Sequence, residues 1–168
     1  MHGLLFFLTL CTSTVMGGIY FGWTPVELAA LGWPRWMFHP VFIVEGLKFS
    51  APLLTILFAH EMGHYIAAKR HGLQTTPPFF LPMPIPLWYS PGTLGAVMRI
   101  RQPITTRKQL LDIGAWGPIA GFVVTIPMLV VGLLLSYVRE FANDAPLVYF
   151  SEPILFKFFA RAVFFPGL

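Results

Sequence analysis

Charge is scarce in this sequence: only 11% of its 168 residues are Asp, Glu, Lys or Arg, less than half of the about 25% found in ordinary soluble domains. Such a chain cannot cover a water-facing surface with polar groups, which excludes a conventional soluble domain. Cysteine is reduced to Cys11 alone, so no intramolecular disulfide can form, and a lone thiol in an apolar run is expected to pack as a small apolar side chain. Internal repeats and low-complexity linkers are absent as well, which excludes a solenoid and leaves no natural second domain. Acids are outnumbered, seven against eleven basic residues. The basic residues cluster beside apolar runs and do not interleave with aromatics on a polar face, so the +4 charge speaks of membrane topology and not of nucleic acid.

What the sequence does have is apolar length. Hydrophobic residues make up 56% of the chain, with 17 Phe and 5 Trp, and mean hydropathy is +0.70. This composition predicts an all-α polytopic membrane protein solvated largely by lipid. A first span is predicted from Gly3 to Trp23, with Tyr20 and Trp23 as interfacial anchors. Its length and its lack of a basic leading segment favour a span over a cleaved signal peptide. Pro25 to Pro40 reads as a short interfacial loop carrying Trp33, Arg35, Trp36 and His39. A second span is placed from Phe49 to Ala68, preceded by Glu45 and Lys48 at pairing distance and closed by Lys69-Arg70. A third runs from Gly117 to Val138. Phe150 to Pro166, with Lys157 and Arg161 on one helical face, reads as an interfacial helix near the C-terminus.

Between the second and third spans the chain is apolar but cannot be helical, because Pro77, Pro78, Pro82, Pro84, Pro86 and Pro91 remove backbone donors. Irregular backbone at membrane depth survives only against protein or along a cavity. A partly embedded proline-rich loop or β-hairpin is therefore expected, with a short strand between Thr93 and Arg101. Six of the eleven basic residues, Lys69, Arg70, Arg99, Arg101, Arg107 and Lys108, lie in this connection, which puts it on the cytoplasmic or equivalent side.

Chemistry concentrates at His60-Glu61-Met62-Gly63-His64, an HExxH sequence on a predicted helix. Residues i and i+4 share one helical face, so two neutral imidazoles can hold one zinc ion while the unligated Glu61 handles protons. His60 lies about ten residues into its span, roughly 15 Å deep, where ionisable groups are costly unless they pair or bind an ion. A zinc site also needs a third protein ligand and an open position. Asp112, Glu152 and His71 are the candidates here, though each reads more simply as a paired or solvated group near an interface. His2 and His39 read as interfacial.

Taken together, His60 to Tyr65, the prolines from Pro77 to Pro86, Gly92-Thr93-Leu94-Gly95-Ala96-Val97 and the run from Asp112 to Gly121 resemble the site-2 protease family of intramembrane zinc metalloproteases. The similarity is to the branch without an inserted PDZ domain, found in bacteria, archaea and plastids, so a bacterial or archaeal cell membrane or a plastid membrane is implied. The resemblance implies cleavage of transmembrane or membrane-anchored protein substrates, with membrane lipid as the other partner. Gly117 and Gly121 match the family's small-residue motif beside the active site, where they would support the site or the substrate. A plain helix-packing pair is the other reading. The family's third zinc ligand is an aspartate of an Asp-Gly motif on a later helix, and no such motif precedes Leu168. Residues 1–168 are therefore expected to be the N-terminal part of a single metalloprotease domain, incomplete at its C-terminal end. The alternative function is a non-catalytic membrane pseudoprotease that scaffolds transmembrane partners. A soluble zinc protease is excluded by the lipid-length helix around the motif.

Overall fold

A computed structural model describes residues 2–22, 32, 35–83, 90–136 and 153–164. It divides into two compact units, Met1–Val124 and Thr125–Leu168. Three of its helices are long and apolar enough to cross a membrane, and the chain is a multi-pass membrane protein. Their outward faces carry Leu4, Phe7, Val44, Leu47, Leu111 and Phe122, all exposed, as lipid-facing surface requires.

Helix α1 spans His2–Gly17 and continues into a π-helical turn, Gly18–Gly22. Its buried stripe is Thr9, Ser13, Met16 and Gly17, small or slender residues that let a neighbouring helix approach closely. Cys11 lies off this stripe and is exposed, a correction to its expected packing. Tyr20, expected as an interfacial anchor, donates its hydroxyl hydrogen to the Ser90 carbonyl at 3.0 Å. Trp23 and most of the expected interfacial loop fall outside the described residues, except for a 3-10 turn at Arg35–Phe38.

Helix α2 spans Pro40–Arg70 and begins nine residues before the Phe49 expected from hydropathy. Pro40 stands in the first turn after an extended His39, where its fixed φ suits helix entry and its missing N–H costs nothing. At 31 residues the helix is about 46 Å long, more than the about 30 Å hydrocarbon core, so its first turns project past it or it tilts. Lys48 pairs with Glu45 at 2.6 Å, as the spacing suggests. The helix ends in a Schellman motif: the Leu73 N–H donates to the Ala68 carbonyl at 3.0 Å and the Gly72 N–H to the Lys69 carbonyl at 2.9 Å. Gly72 takes the required positive φ of 73°.

The proline-rich connection holds a β-hairpin, as one of the two expected forms. Strand β1 (Phe79–Pro82) pairs antiparallel with β2 (Thr93–Val97). The register passes from Phe80↔Ala96 to Pro82↔Thr93, so β2 carries one extra residue, and Gly95 absorbs this bulge at φ 102°. The hairpin lies against α1, not free of it. Phe80 packs on Phe6 with ring centroids 5.1 Å apart, and Thr12 donates to the Gly92 carbonyl at 2.7 Å. Phe80 also stacks at 6.3 Å on Phe58, two residues before His60. The turn at 84–89 is outside the described residues.

Helix α3 spans Arg107–Leu134, starting ten residues ahead of the expected Gly117. A capping box starts it: the Gln109 N–H donates to the Thr106 hydroxyl at 3.2 Å, and the Gln109 side-chain oxygen accepts from the Thr106 N–H at 3.3 Å. In the second unit, α4 (Ile154–Phe164) is 11 residues long, too short to span a bilayer and apolar on most sides, in keeping with an interfacial helix.

Candidate functional site

His60, Glu61 and His64 lie in the last third of α2, and the helix presents both imidazoles to one point. Their Nε2 atoms are 3.0 Å apart, with ring centroids at 4.7 Å and planes at 76°. Two nitrogens on one tetrahedral zinc, each about 2.0–2.1 Å from it, stand about 3.3 Å apart, so a small opening of the pair fits the ion. The His64 tautomer suits this as well. Its Nδ1 lies 2.6 Å from the Ile113 carbonyl of α3; a carbonyl can only accept, so Nδ1 carries the hydrogen and, in the neutral ring, Nε2 keeps its lone pair free. Glu61 is half-buried, close enough to both imidazoles to interact electrostatically.

Room for the rings comes from glycines. A Cβ built on Gly117 would collide with the His64 ring at Nε2, Cε1 and Cδ2. At Gly121 a Cβ would stand 3.3 Å from the His60 Cβ and 3.4 Å from its Nδ1. One on Gly63, between the two histidines, would strike the Trp116 carbonyl. Helix α3 therefore runs against α2 at near backbone contact. Gly117 and Gly121 do pack helices, as the plainer sequence reading has it, but the groups they make space for are the two candidate ligands.

The remaining candidates go elsewhere. His71 Nε2 and Asp112 Oδ2 are 2.8 Å apart, so these two pair with one another across the α2–α3 crossing. Among the described residues, no third His, Cys, Asp or Glu joins His60 and His64 in a metal-sized cluster, and Glu152 lies outside them. Sequence reasoning did not find Ile113, whose contribution is a backbone carbonyl. Nor did it find Trp116, whose ring also receives the Arg70 guanidinium at 5.8 Å from its centroid. Neither contact leaves a mark in residue type or spacing.

The model of peptidase family M50 matches residues 48–164, a stretch holding the HExxH motif, the hairpin, α3 and α4. Over 124 residues, or 72% of this chain, it is 31% identical to the probable zinc metalloprotease EGY1, chloroplastic, of Arabidopsis thaliana. The corresponding protein of Oryza sativa subsp. japonica is 32% identical over the same length. The probable zinc metalloprotease EGY2, chloroplastic, of Arabidopsis thaliana is 34% identical over 89 residues, 53% of this chain. The match takes in only 22%, 21% and 15% of those three relatives. No solved structure matches the chain.

Proposed function

Because the chain belongs to peptidase family M50, we propose that it is the HExxH-bearing part of an intramembrane zinc endopeptidase that cleaves transmembrane or membrane-anchored proteins. The single observation that carries this reading is the convergence of His60 and His64 Nε2 at 3.0 Å, in a space that only glycine at position 117 leaves open. His60 and His64 would hold the ion, with a further ligand from beyond the described residues. Bound zinc supplies Lewis acidity, polarising the scissile carbonyl and acidifying water. Glu61 accepts the proton of the attacking water as its oxygen bonds to the carbonyl carbon. It then delivers that proton to the amide nitrogen as the C–N bond breaks. Ile113 holds the His64 ring in the ligating tautomer, and Gly117 and Gly121 support the site by leaving both rings their place.

Hairpin β1–β2 would offer an unwound substrate a sheet edge beside this centre. Plastid, bacterial and archaeal membranes are all places where the proposed activity could operate, and all three of these plant relatives carry a plastid name. A second reading, a non-catalytic scaffold for transmembrane partners, is favoured by the presence of only two ligands among the described residues. The test separates the two. In membranes containing a membrane-anchored reporter, the wild-type protein should cleave, Glu61→Gln should retain zinc and lose cleavage, and His64→Ala should lose both. Zinc binding without any cleavage by wild type would favour the scaffold, and unchanged zinc in His64→Ala would overturn the site.

A further inference from the structure

Away from the histidines, a second group of polar side chains surrounds a cavity of about 380 Å³. We propose that this cavity binds a phosphate group, carried by an anionic lipid headgroup at the membrane border. Lys69 and Arg101 contribute two full positive charges to its lining, joined by His2, Gln74, Thr75 and Thr76, and no acid lines it. Neither cation has a carboxylate partner among the described residues. Both cations are exposed, and the Lys69 ammonium also lies 5.8 Å from the Tyr65 ring centroid, so water screens their mutual repulsion, while an anion seated in the cavity would be attracted by both.

The frame of the cavity is fixed by backbone pairing. Arg101 donates its N–H to the Gln74 carbonyl at 2.8 Å, and Thr76 donates to the Arg99 carbonyl at 3.0 Å, on either side of a Thr75↔Ile100 bridge. The Thr76 hydroxyl accepts from the Arg99 N–H at 3.0 Å, which leaves its own hydrogen available to donate. Thr75 also lines the cavity, and its buried hydroxyl oxygen has no hydrogen-bond partner among the described residues, so a turn about its side-chain bond breaks no hydrogen bond and would present the hydroxyl to an oxygen-rich ligand.

Location selects the source of the phosphate. Lys69 stands in the last turn of α2 and His2 at the first residue of α1, so the cavity opens where two membrane-spanning helices end. That is the level of the lipid phosphates. Basic pockets between transmembrane helices on the cytoplasmic side are the usual seats of anionic headgroups, and this connection is the side that the basic residues assign to the cytoplasm.

The test uses the whole chain, reconstituted in phosphatidylcholine nanodiscs containing phosphatidylglycerol, extracted into detergent and assayed for retained lipid by mass spectrometry. Wild type should retain phosphatidylglycerol, and the Lys69→Ala/Arg101→Ala pair should retain about fivefold less or lower still. Arg107→Ala/Lys108→Ala, which removes the same charge outside the cavity, should retain as much as wild type. Thr75→Val removes the buried hydroxyl with no change of charge and should lower retention about twofold, which keeps the test valid if the double variant fails to fold. In a parallel arm, inorganic phosphate is titrated against thermal stability. Stabilisation by phosphate that is lost in the cavity variants, without lipid retention, keeps the phosphate site and moves its source to the free ion. Equal lipid loss in both double variants overturns the proposal, as does binding of an acidic peptide where both phosphate sources fail.

Discussion

The two halves of α2 use small residues at close helix crossings for different ends. In the first half Phe42, Gly46, Ser50 and Leu54 are buried and the partner is α1. A Cβ on Gly46 would strike the Thr14 carbonyl, and one on Gly17 would stand 2.8 Å from the Gly46 carbonyl. Thr14 and Ser50 share a hydroxyl hydrogen bond of 2.9 Å across the same seam. In the second half Gly63, Ala67 and Ala68 are buried and the partner is α3. Lipid gives helices no hydrophobic reason to associate, so both seams depend on close van der Waals contact and interhelical hydrogen bonds. The first seam uses its glycines to bring backbone to backbone, while the second also uses them to seat imidazoles. A glycine in a membrane helix therefore says that something approaches closely, and only the approaching group says whether the purpose is packing or chemistry.

The sharpest way to break the comparison is Gly117→Ala. Its methyl group would occupy the place of the His64 ring, and the rigid helix backbone cannot move aside without also losing the Gly63–Trp116 contact. Zinc affinity should fall by about 100-fold or more, beyond the 10–100-fold typical of losing a supporting contact around a metal. Metal titration of the purified protein checks this, and a near wild-type affinity would show that the ring has room elsewhere. Next comes Gly46→Ala in the other seam. Overpacking against the Thr14 carbonyl should cost on the order of 1–3 kcal/mol of stability, read as a lowered unfolding temperature, while each folded molecule still binds zinc with the original affinity. Parallel loss of zinc affinity would mean that the two seams are not separable.

A smaller effect is expected at the His71–Asp112 pair. It ties the end of α2 to the first turns of α3, one residue before the carbonyl that orients His64. Asp112→Ala should weaken zinc binding by about tenfold, and Asp112→Asn, whose amide oxygen still accepts a hydrogen bond, should restore most of it. Equal loss in both variants would assign Asp112 a role through its charge.

How much of this was legible depended on whether the signal was local. HExxH was readable because i and i+4 on one helix fix the geometry without tertiary information. The hairpin was readable as one of two options, since the prolines ruled out helix and the depth ruled out free loop. Both late helix starts were errors of a hydropathy reading. Pro40 and the Thr106–Gln109 capping box are start signals plainly present in the sequence, but charged or polar residues beside them drew the boundaries inward. The His71–Asp112 pair was not readable at all. Its members are separated by 41 positions, and each looked like a possible ligand until the crossing of α2 and α3 joined them. Gly117 and Gly121 stood out by motif alone, and nothing local says which histidine each one faces.

Gly121→Ala is the mildest change and the finest test of that last distinction. Its added methyl would stand 3.3 Å from the His60 Cβ and 3.4 Å from Nδ1, tight contacts that a shift of a few tenths of an ångström relieves. The carbon it meets first belongs to the base of the side chain, so the imidazole can tilt about its own bonds and keep Nε2 near His64. At Gly117 the collision is with the ligating edge of the ring itself, and no such tilt preserves the geometry. Zinc affinity in Gly121→Ala should therefore stay within about threefold of wild type, in the range of ordinary substitutions that create no buried clash. Should it fall as far as in Gly117→Ala, the spacing of the whole α2–α3 seam would be setting the site, and the individual contact between Gly117 and His64 would not be its cause.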